Sequence, residues 1–334
     1  MEQKKTSITM KDVAREAGVA IGTVSKVFNG QNVGNEYKEK VLEAAKRLNY
    51  KINTYAQGLK SGKTHSVAFL VPNTINPFFG LLTTEINKSL KNHGYKMFLC
   101  CTDYNDGQEQ EFVTMASLNK VDGIIALPYS PNLKIENDIP FVSIDRVLSP
   151  SIPCVACDNY EGGAIAARKL HELGCKKVCF FRIGSPLSNE PNKRKSGFEA
   201  ECAALGLECI MKLINDQPHH DIFLEYLKEH IHNGKLDFDG IFCVTDNLAL
   251  EIIDMLNSLN IKVPQDVQVI GFDGLKPFGK DQYVCSTIVQ PVEQIAEMSV
   301  TLLLQDSSTM KPPLVCLPVF YADGGTTLPK KEIK

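Results

Sequence analysis

Charged and amide side chains follow apolar segments of the chain at points where buried strands would end. These residues are Asp145, Arg146, Asp158, Thr245, Asp246, Asp273 and Gln290. Carboxylates and a guanidinium that converge on one place can hold neighbouring hydroxyl groups by paired, charge-assisted hydrogen bonds. The chemistry indicated is therefore reversible binding of a small polar molecule. Each residue alone is equally compatible with a surface ion pair or a helix cap, so the prediction depends on the whole group.

Strands and helices alternate from His65 onward, and this alternation would bring the polar residues together. The apolar segments are HSVAFLVP, KMFLCCT, DGIIALP, FVSIDR, CVACD, KVCFF, GIFCVT and VQVIGFD. The segments that favour helices are Gly80–His93, Gly107–Asn119, Gly163–Leu173 and Gly197–Leu205. Such alternation predicts parallel βαβ units with helices on both faces of a sheet. There are enough units for two doubly wound parallel sheets, so we expect an α/β body of two lobes. Its ligand would bind in the cleft, at the carboxyl ends of the strands.

Three short helices are predicted before residue 50. The first begins at Thr9, an N-cap with Asp12 three residues later, and ends at Gly18. The second runs from Ile21 to Phe28, before the turn Asn29-Gly30, and the third runs from Glu36 to Leu48. Their predicted apolar faces are Val13, Ala14 and Ala17, then Val24, Val27 and Phe28, then Val41, Leu42, Ala45 and Leu48. Two helices joined by a short glycine-containing turn predict a helix-turn-helix within a small all-α head.

Composition and charge limit the possible functions. Hydrophobic residues make up 43% and charged residues 22% of the 334, as in ordinary globular proteins. Residues 1–62 carry eleven Lys and Arg against six Asp and Glu, a net charge of +5, which leaves −8 on the remainder. A basic head on an acidic body suggests that only the head meets a polyanion. No apolar run approaches the ~18 residues of a membrane helix, and no secretory signal is visible. We therefore expect a cytoplasmic protein without a membrane partner.

The cysteines and the known catalytic motifs give no indication of an enzyme. Cys154 and Cys157 form a single C-x-x-C, which we interpret as strand packing; the alternative is a redox or partial metal motif. The sequence contains no G-x-S-x-G, no G-x-x-x-x-G-K-[ST] and no strand followed by G-x-G-x-x-G. We expect no enzymatic activity, no cofactor and no metal.

The segment DVAREAGVAIGTVSKVF, which begins at Asp12, resembles the head of the lac repressor family of regulators. Heads of that family typically read T-x-x-D-V-A-x-x-A-G-V-S-x-x-T-V-S-R-V-L-N. The matching positions are Thr9, Asp12, Val13, Ala14, Ala17, Gly18, Val19, Thr23, Val24, Ser25, Val27 and Asn29. The resemblance implies binding to double-stranded operator DNA. A three-helix protein-interaction module is the alternative.

The resemblance assigns DNA contacts by position. Ile21, Gly22 and Lys26 would read the major groove, next to Ala20 at the start of the reading helix. The residues implied to hold phosphates are Lys11, Thr23, Ser25 and Asn29. Ala20 replaces the usual serine, Gly22 offers no side chain to a base, and Lys26 replaces an arginine that could recognise guanine by two hydrogen bonds. We expect an operator that is read partly through thymine methyl groups by Ile21 and partly through DNA shape.

Residues 53–63 correspond to the hinge helix of that family, which forms on DNA and inserts a leucine into the minor groove. Leu59 falls at this position, and Gly58 weakens the helix. A flexible linker with one stray leucine is the alternative.

The body is similar to periplasmic sugar-binding proteins, the fold with which the family senses effectors. By position, the resemblance assigns effector contacts to Asn76, Phe78, Phe79, Arg146, Asp158, Arg194, Thr245, Asp246, Asp273 and Gln290. A phenylalanine of NPFF would stack on the apolar face of a sugar, and Arg194 opens the R-x-x-G-F signature of the family. Without the resemblance, NPFF is typical of a turn followed by two core phenylalanines. Residues 141–163 further resemble repressors of sucrose and ribose operons, which favours a sugar or sugar phosphate; a purine is the alternative.

The expected organisation is a helix-turn-helix domain at 1–52, a hinge at 53–63 and an effector-binding and dimerisation domain at 64–334. One lobe would comprise about 64–160 and 290–322, the other about 161–289 and 323–334. We expect a homodimer on a pseudo-palindromic operator, because the C-terminal tail lacks the leucine heptad of tetrameric relatives. The predicted function is a repressor of a carbohydrate-utilisation operon that is released by its effector. The alternatives are a metabolite-responsive regulator of the corepressor type and a sugar-binding protein without a regulatory role.

Overall fold

The computed structural model describes residues 8–28, 31–50, 63–118, 121–135, 139–184, 189–215, 220–306 and 312–329. The chain divides into two compact units, Met1–Thr64 and His65–Lys334, which we call the head and the body. None of the described helices is long and apolar enough to span a membrane.

Three helices form the head, namely α1 (Met10–Ala17), α2 (Ile21–Phe28) and α3 (Asn35–Arg47). Asp12 accepts hydrogen bonds from the backbone N–H of Thr9 at 2.9 Å and from its hydroxyl at 2.7 Å, which fixes the start of α1. Gly18 ends α1 in the left-handed conformation, with a φ of 65°. The capping pattern read from the sequence therefore gives both ends of α1 correctly.

Valine side chains from all three helices make the core of the head. Val13, Val24 and Val41 are fully buried. The predicted face of α3 is wrong at Leu42, which is 48% exposed, whereas Ala44 is buried. Positions 41, 44, 45 and 48 follow the spacing of one helical face, and position 42 lies outside it.

The first sheet of the body is parallel throughout. Its strands are β1 (Ser66–Val71), β2 (Lys96–Cys101), β3 (Gly123–Ala126), β4 (Phe141–Ile144), β5 (Cys154–Cys157) and β13 (Leu314–Leu317). They lie in the order β13-β5-β4-β3-β1-β2. Every residue of β1, β3, β4 and β5 is buried, as expected of strands covered on both faces.

The second sheet is parallel except at one edge. Its strands are β6 (Lys177–Ile183), β7 (Glu208–Ile214), β10 (Gly240–Cys243), β11 (Gln268–Asp273), β12 (Thr287–Val289) and β14 (Phe320–Ala322). They lie in the order β14-β12-β11-β10-β6-β7, and β14 runs antiparallel to β12. The strands β8 (Ile231–His232) and β9 (Lys235–Leu236) form a separate small hairpin. Two mostly parallel sheets behind a helical head confirm the predicted fold class.

The described helices of the body are α4 (Pro77–Asn92), α5 (Asp106–Leu118), α6 (Asn159–Glu172), α7 (Lys193–Leu205), α8 (His220–Glu229), α9 (Asp246–Ser258) and α10 (Val292–Leu304). The sequence predicts the first four of them, and three of these begin at least three residues earlier than predicted. The predicted starts at Gly80, Gly163 and Gly197 lie three or four residues inside α4, α6 and α7. Asn76 and Asp158 explain the first two, because their side chains accept the N–H groups of Phe78 and Glu161 at 3.0 Å each and so cap these helices.

The chain returns to the second sheet earlier than predicted. Phe320–Ala322 pairs with β12, with Tyr321 opposite Ile288. The last crossing between the sheets therefore falls between β13 and β14 rather than after residue 322. All eleven cysteines are free thiols, and Cys154 and Cys157 are buried within β5, in agreement with their interpretation as strand packing.

Candidate functional site

Side chains at the carboxyl ends of strands from both sheets surround a cavity of about 180 Å³ within the body. A cavity of this volume has room for a small polar molecule. The lining residues are Asn76, Phe78, Phe79, Tyr104, Leu127, Pro128, Tyr129, Ile144, Asp145, Arg146, Arg182, Ile183, Gly184, Asn189, Pro191, Asn192, Arg194, Val244, Thr245, Asp273 and Gln290. Eight of the ten effector contacts predicted from the sequence are among them. Their role as contacts stays a prediction.

Arg194 reaches the cavity because α6 and α7 pack unusually closely. A Cβ on Gly163 would lie 2.0 Å from the carbonyl oxygen of Arg194, and one on Gly197 would lie 1.9 Å from that of Tyr160. Only glycine permits this approach, and it brings the first turn of α7 against that of α6. The close packing thus sets the position of the Arg194 backbone.

The guanidinium of Arg194 is held from several sides. Its Nε donates to Oδ1 of Asn159 and its Nη1 to the carbonyl oxygen of Val244, both at 2.7 Å. The guanidinium carbon lies 3.6 Å from the centre of the Phe272 ring, a cation–π contact. The residue is 3% exposed. These contacts fix a buried positive charge against the cavity in one orientation.

Asp273 and Gln290 form the part of the wall next to Arg194. Asp273 ends β11 with a φ of 126°, and its Oδ1 accepts a hydrogen bond from Nε2 of Gln290 at 2.8 Å. Burial raises the pKa of Asp273 well above its usual range, against the opposing effect of the Arg194 charge. Oε1 of Gln290 is buried and accepts no hydrogen bond from the described residues. This oxygen is an acceptor to which a bound molecule could donate.

Asp145 and Arg146 follow β4 and bring a second acid and a second guanidinium. Asp145 has a φ of 60°, and its Oδ1 is buried without a hydrogen-bond partner among the described residues. Burial raises the pKa of Asp145 to about 6, although the charge of Arg194 acts in the opposite direction. Nη1 of Arg146 donates to the carbonyl oxygen of Tyr129. The cavity wall therefore carries acceptor oxygens that receive no hydrogen bond from the described residues, next to guanidinium groups that can donate.

Four aromatic rings make an apolar wall. Phe78 and Phe79 begin α4, and both are at least 95% buried. The rings of Tyr104 and Tyr129 meet edge to face, with centroids 4.8 Å apart, and that of Phe79 lies 6.5 Å from Tyr129. Asn76, which caps α4, also accepts a hydrogen bond from Asn247 at 3.4 Å. The NPFF segment thus supplies both the turn and part of the cavity wall.

Two predicted contacts, Asp158 and Asp246, are not among the residues that line the cavity. Asp158 caps α6 instead. Asp246 is fully buried, where its carboxylate accepts the N–H of Leu275 at 2.7 Å and the thiol of Cys285 at 3.4 Å. Thr245, one residue earlier, lines the cavity and caps α9 through the N–H of Leu248 at 3.3 Å. Of this pair, Thr245 faces the cavity, whereas Asp246 is buried in the body.

Sequence reasoning missed several lining residues. Tyr104 and Tyr129 lie in the loops after β2 and β3, which the polar pattern did not single out. Arg182 lies inside β6 and is 7% exposed; it donates to Asn192 at 2.8 Å and to the carbonyl oxygen of Gly184 at 3.0 Å. An arginine within the apolar segment KVCFFRI is a signal that could have been used, because charged side chains are rarely buried without a specific reason.

The candidate DNA interface is the outer face of α2 in the head. Ile21 is 48% exposed, and Lys11, Ala20, Gly22 and Lys26 are exposed as well. The remaining predicted contacts in the described residues, Thr23 and Ser25, are half-buried. Val24 and Val27 point into the core, so α2 presents one face outward. The predicted contacts Asn29 and Leu59 lie outside the described residues, as does Gly58.

Comparisons with known proteins match both parts of the chain. Residues 9–53 match the family described as "Bacterial regulatory proteins, lacI family", and residues 64–305 match "Periplasmic binding proteins and sugar binding domain of LacI family". The sucrose operon repressor of Pediococcus pentosaceus is 33% identical over 332 residues, which are 95% of this chain and 98% of that protein. The ribose operon repressor of Lactococcus lactis subsp. lactis (strain IL1403) is 32% identical over 97% of this chain and 99% of that protein.

Solved structures give the same correspondence. The Lac repressor dimer bound to operator and the anti-inducer ONPF has a TM-score of 0.82 at 20% identity, covering 97% of this chain and 100% of that one. A periplasmic binding protein/LacI transcriptional regulator from Alkaliphilus metalliredigens, complexed with D-xylulofuranose, has a TM-score of 0.66 at 28% identity, covering 79% and 100%. The first likeness concerns the fold of nearly the whole chain, and the second that of 79% of it.

Proposed function

The chain belongs to the lacI family of bacterial regulatory proteins, and from this premise we propose that it represses a carbohydrate-utilisation operon until a sugar or sugar phosphate fills the cavity of the body. Its relatives are transcriptional regulators rather than enzymes, which agrees with the expectation that the chain is not an enzyme. Relatives named sucrose and ribose operon repressors support the link to carbohydrate use. As a regulator of transcription it would act in the cytoplasm.

The observation that carries the effector proposal is the set of acceptors in the cavity that lack donors. Oδ1 of Asp145 and Oε1 of Gln290 are buried and have no hydrogen-bond partner among the described residues. The guanidinium of Arg146 lies in the same wall and retains N–H groups beyond the one given to Tyr129. A hydroxyl group both donates and accepts, so a polyhydroxylated molecule satisfies both kinds of group at once. Leaving such groups unsatisfied in a buried site costs about 1–3 kcal/mol each, which binding would recover.

The aromatic wall supports a sugar over a fully polar ligand. The C–H face of a sugar ring is apolar and packs against aromatic side chains, while its hydroxyl groups point to the polar rim. The rings of Phe78, Phe79, Tyr104 and Tyr129 line the cavity together with its acidic and guanidinium groups. We assign the eight predicted contacts that line the cavity to the effector, together with Tyr129.

The head is the DNA-binding part of this proposal, with a helix-turn-helix domain at 1–52 and a hinge at 53–63. The exposed methyl groups of Ile21 suit contact with thymine methyl groups in the major groove, and Lys26 supplies a point charge. Lys11, Thr23, Ser25 and Asn29 would hold phosphates, and Leu59 would enter the minor groove. Since Gly22 offers no side chain to a base, much of the specificity would come from DNA shape.

A homodimer is proposed because operator half-sites come in pairs and one edge of the body exposes apolar side chains. Phe98 and Leu99 on the edge strand β2 are each 41% exposed, and Leu81 on α4 is 38% exposed. An exposed apolar edge strand is a liability unless another surface covers it. A second copy of the body, in residues 64–334, is the proposed cover. Effector binding would change the angle between the lobes and so weaken the paired grip on DNA, a coupling typically worth about 1–3 kcal/mol.

Removal of residues 1–62 tests the assignment of DNA binding to the head and of sugar binding to the body. The shortened chain and the full chain are compared for binding to DNA selected by the full chain from a random library, and for thermal shifts with mono- and disaccharides and their phosphates. We expect the shortened chain to keep its sugar response and to lose DNA binding. DNA binding by the shortened chain would refute the assignment of the head, and the absence of any response to sugars in both chains would refute the assignment of the cavity.

A further inference from the structure

A buried carboxylate lies behind the cavity wall without touching the cavity. Glu109 is on α5 and is 2% exposed. Its Oε2 accepts the backbone N–H of Ser130 at 2.8 Å, and its two oxygens lie 3.2 and 3.3 Å from the backbone nitrogen of Tyr129. Glu109 therefore holds the backbone of the loop that follows β3 at Tyr129, which lines the cavity, and at the residue after it.

Tyr129 contributes to the cavity in two ways, through its ring and through its backbone carbonyl group. The ring of Tyr129 lies edge to face on Tyr104, with centroids 4.8 Å apart, and also meets Phe79 at 6.5 Å. Its carbonyl oxygen accepts the hydrogen bond from Nη1 of Arg146. A movement of this short backbone segment would displace an aromatic wall and a guanidinium together.

We infer that Glu109 is a positioning residue for effector binding, which acts by holding the Tyr129 backbone and through it both the Tyr129 ring and the Arg146 guanidinium. The inference rests on the proposed function, in which the cavity holds a sugar. The ligand class that depends on Glu109 is therefore a small polyhydroxylated molecule that packs against the ring and accepts hydrogen bonds from the guanidinium.

The loop is attached to α5 at a second point, which allows the positioning effect of Glu109 to be distinguished from simple anchoring of the loop. Gln110, the next residue of α5, donates to the carbonyl oxygen of Lys134 at 3.0 Å and accepts the N–H of Lys134 at 2.8 Å. The far end of the loop thus stays tied to α5 when Glu109 is changed. Loss of the Glu109 contacts should loosen the end at the cavity without detaching the loop.

The test compares Glu109→Gln with Glu111→Gln, which makes the same chemical change at an exposed position of α5. A glutamine keeps one acceptor oxygen without the negative charge, and its amide N–H₂ takes the place of the other oxygen, where it would face a backbone N–H group. The probe is whichever of D-ribose, D-xylulose, D-fructose, D-glucose, sucrose and the phosphates of these sugars binds the unchanged protein most tightly by calorimetry. We expect Glu109→Gln to raise the Kd of the probe about tenfold, which corresponds to a loss of ~1.4 kcal/mol in binding free energy. Glu111→Gln should leave this Kd unchanged. Hydrogen exchange at the Tyr129 and Ser130 amides should accelerate only in Glu109→Gln.

A double-variant cycle with Tyr129→Ala gives a readout that a merely structural role would not move. If Glu109 acts through Tyr129, the rise in Kd caused by Glu109→Gln is at least threefold smaller in the Tyr129→Ala background than in the unchanged protein. The reason is that the effects of substitutions at contacting residues are not additive. The return of tight binding in Glu109→Asp, which keeps the carboxylate, would support the same conclusion. Equal Kd values for Glu109→Gln and Glu111→Gln, or strictly additive losses in the cycle, overturn the inference while leaving the proposed function intact. If no sugar binds the unchanged protein, the proposed function fails, and the inference fails with it.

Discussion

Nη1 of Arg194 lies 3.7 Å from Oδ1 of Asp273, and both side chains are only 4% exposed. The acid in turn accepts a hydrogen bond from Gln290, and the guanidinium is held by Asn159 and Val244. The central charges of the cavity are therefore paired and oriented before any ligand arrives. Removal of either partner would leave a buried charge without compensation.

Arg194→Ala should abolish the sugar response and reduce the free energy of unfolding by ~3 kcal/mol, because Asp273, Asn159 and the carbonyl of Val244 all lose a partner. Arg194→Lys should not restore the response, since a single ammonium group cannot reproduce the fork that contacts two acceptors at 2.7 Å. Urea denaturation measures the first effect, and sugar-induced thermal shifts measure the second.

Lys195→Ala is the matched control for Arg194→Ala. Its ion pair with Glu199, at 3.1 Å, is partly exposed, so its removal should change the free energy of unfolding by less than ~0.5 kcal/mol and leave sugar binding unchanged. A folded Arg194→Ala variant with an undiminished sugar response would exclude Arg194 from the site.

Affinity for a neutral sugar should fall as the pH is lowered through the pKa of Asp145. Burial raises this pKa to about 6, and Glu190 adds to the rise, while Arg194 opposes it. A hydroxyl that donates to Oδ1 of Asp145 favours the ionised carboxylate, so binding lowers the pKa and releases a proton. Affinity is then highest above pH 6 and should drop about tenfold between pH 7 and pH 5.

Calorimetry in buffers of different ionisation enthalpy measures both the affinity and the released proton. Asp145→Asn should bind more weakly and lose the decline between pH 7 and pH 5, whereas Asp254→Asn, at an exposed position of α9, should behave as the unchanged protein. An affinity that rises as the pH falls would contradict the proposed hydrogen bond.

Much of the fold and part of the site could be predicted from local patterns. Apolar segments at regular intervals predicted β1 to β6, β10 and β11 but not β7, β13 or β14, and the polar residues that follow the predicted strands marked the edge where the cavity lies. The starts of α4 and α6 were missed because glycines at positions 80 and 163 suggested starts, whereas the capping side chains of Asn76 and Asp158 precede them. A cap and a ligand contact use the same residue types, so the pattern alone did not separate their roles.

The remainder of the site depends on tertiary contacts. Tyr104 and Tyr129 come from separate loops, and only the pairing of β2 and β3 with β1 brings their rings together. Glu109 acts through the backbone of residues 129 and 130, so no spacing in the sequence marks it. In the sequence, Gly163 and Gly197 suggest helix starts, but in the fold they allow α6 and α7 to approach each other.

Gly197→Ala should destabilise the body and weaken sugar binding together. The added Cβ would lie 1.9 Å from the carbonyl oxygen of Tyr160, so α6 and α7 must separate and Arg194 must move with α7. Overpacking of this kind costs about 1–3 kcal/mol. Gly80→Ala is the control. Its added Cβ would contact only the carbonyl oxygen of Thr74, at 3.5 Å, and alanine at this position of α4 should stabilise the helix by up to ~1 kcal/mol. Equal unfolding midpoints for the two variants would contradict the close packing.

Phe98→Lys should separate the proposed homodimer without affecting the sugar site. Phe98 is 41% exposed on the edge strand β2, so a lysine there costs little in the monomer but would be buried in an interface between copies. Sedimentation should show a shift to the monomer, and operator affinity should fall because one head binds one half-site. Phe278→Lys, at a fully exposed phenylalanine of the second lobe, tests whether the interface extends to that lobe. A Phe98→Lys variant that stays dimeric would place the interface elsewhere.

Ile21→Ala should relax sequence preference in the head without loss of stability. The side chain is 48% exposed at the start of α2, so its truncation removes little core packing. If its methyl groups contact a thymine methyl, the selected operator should lose its preference for thymine at one position per half-site, by about 1–3 kcal/mol, while binding to unrelated DNA stays the same. Leu42→Ala removes an equally exposed aliphatic side chain from α3 and should leave the selected sequence unchanged. Selection from a random library with each variant measures the preference; an identical thymine preference in Ile21→Ala would mean that another residue, or DNA shape alone, reads that position.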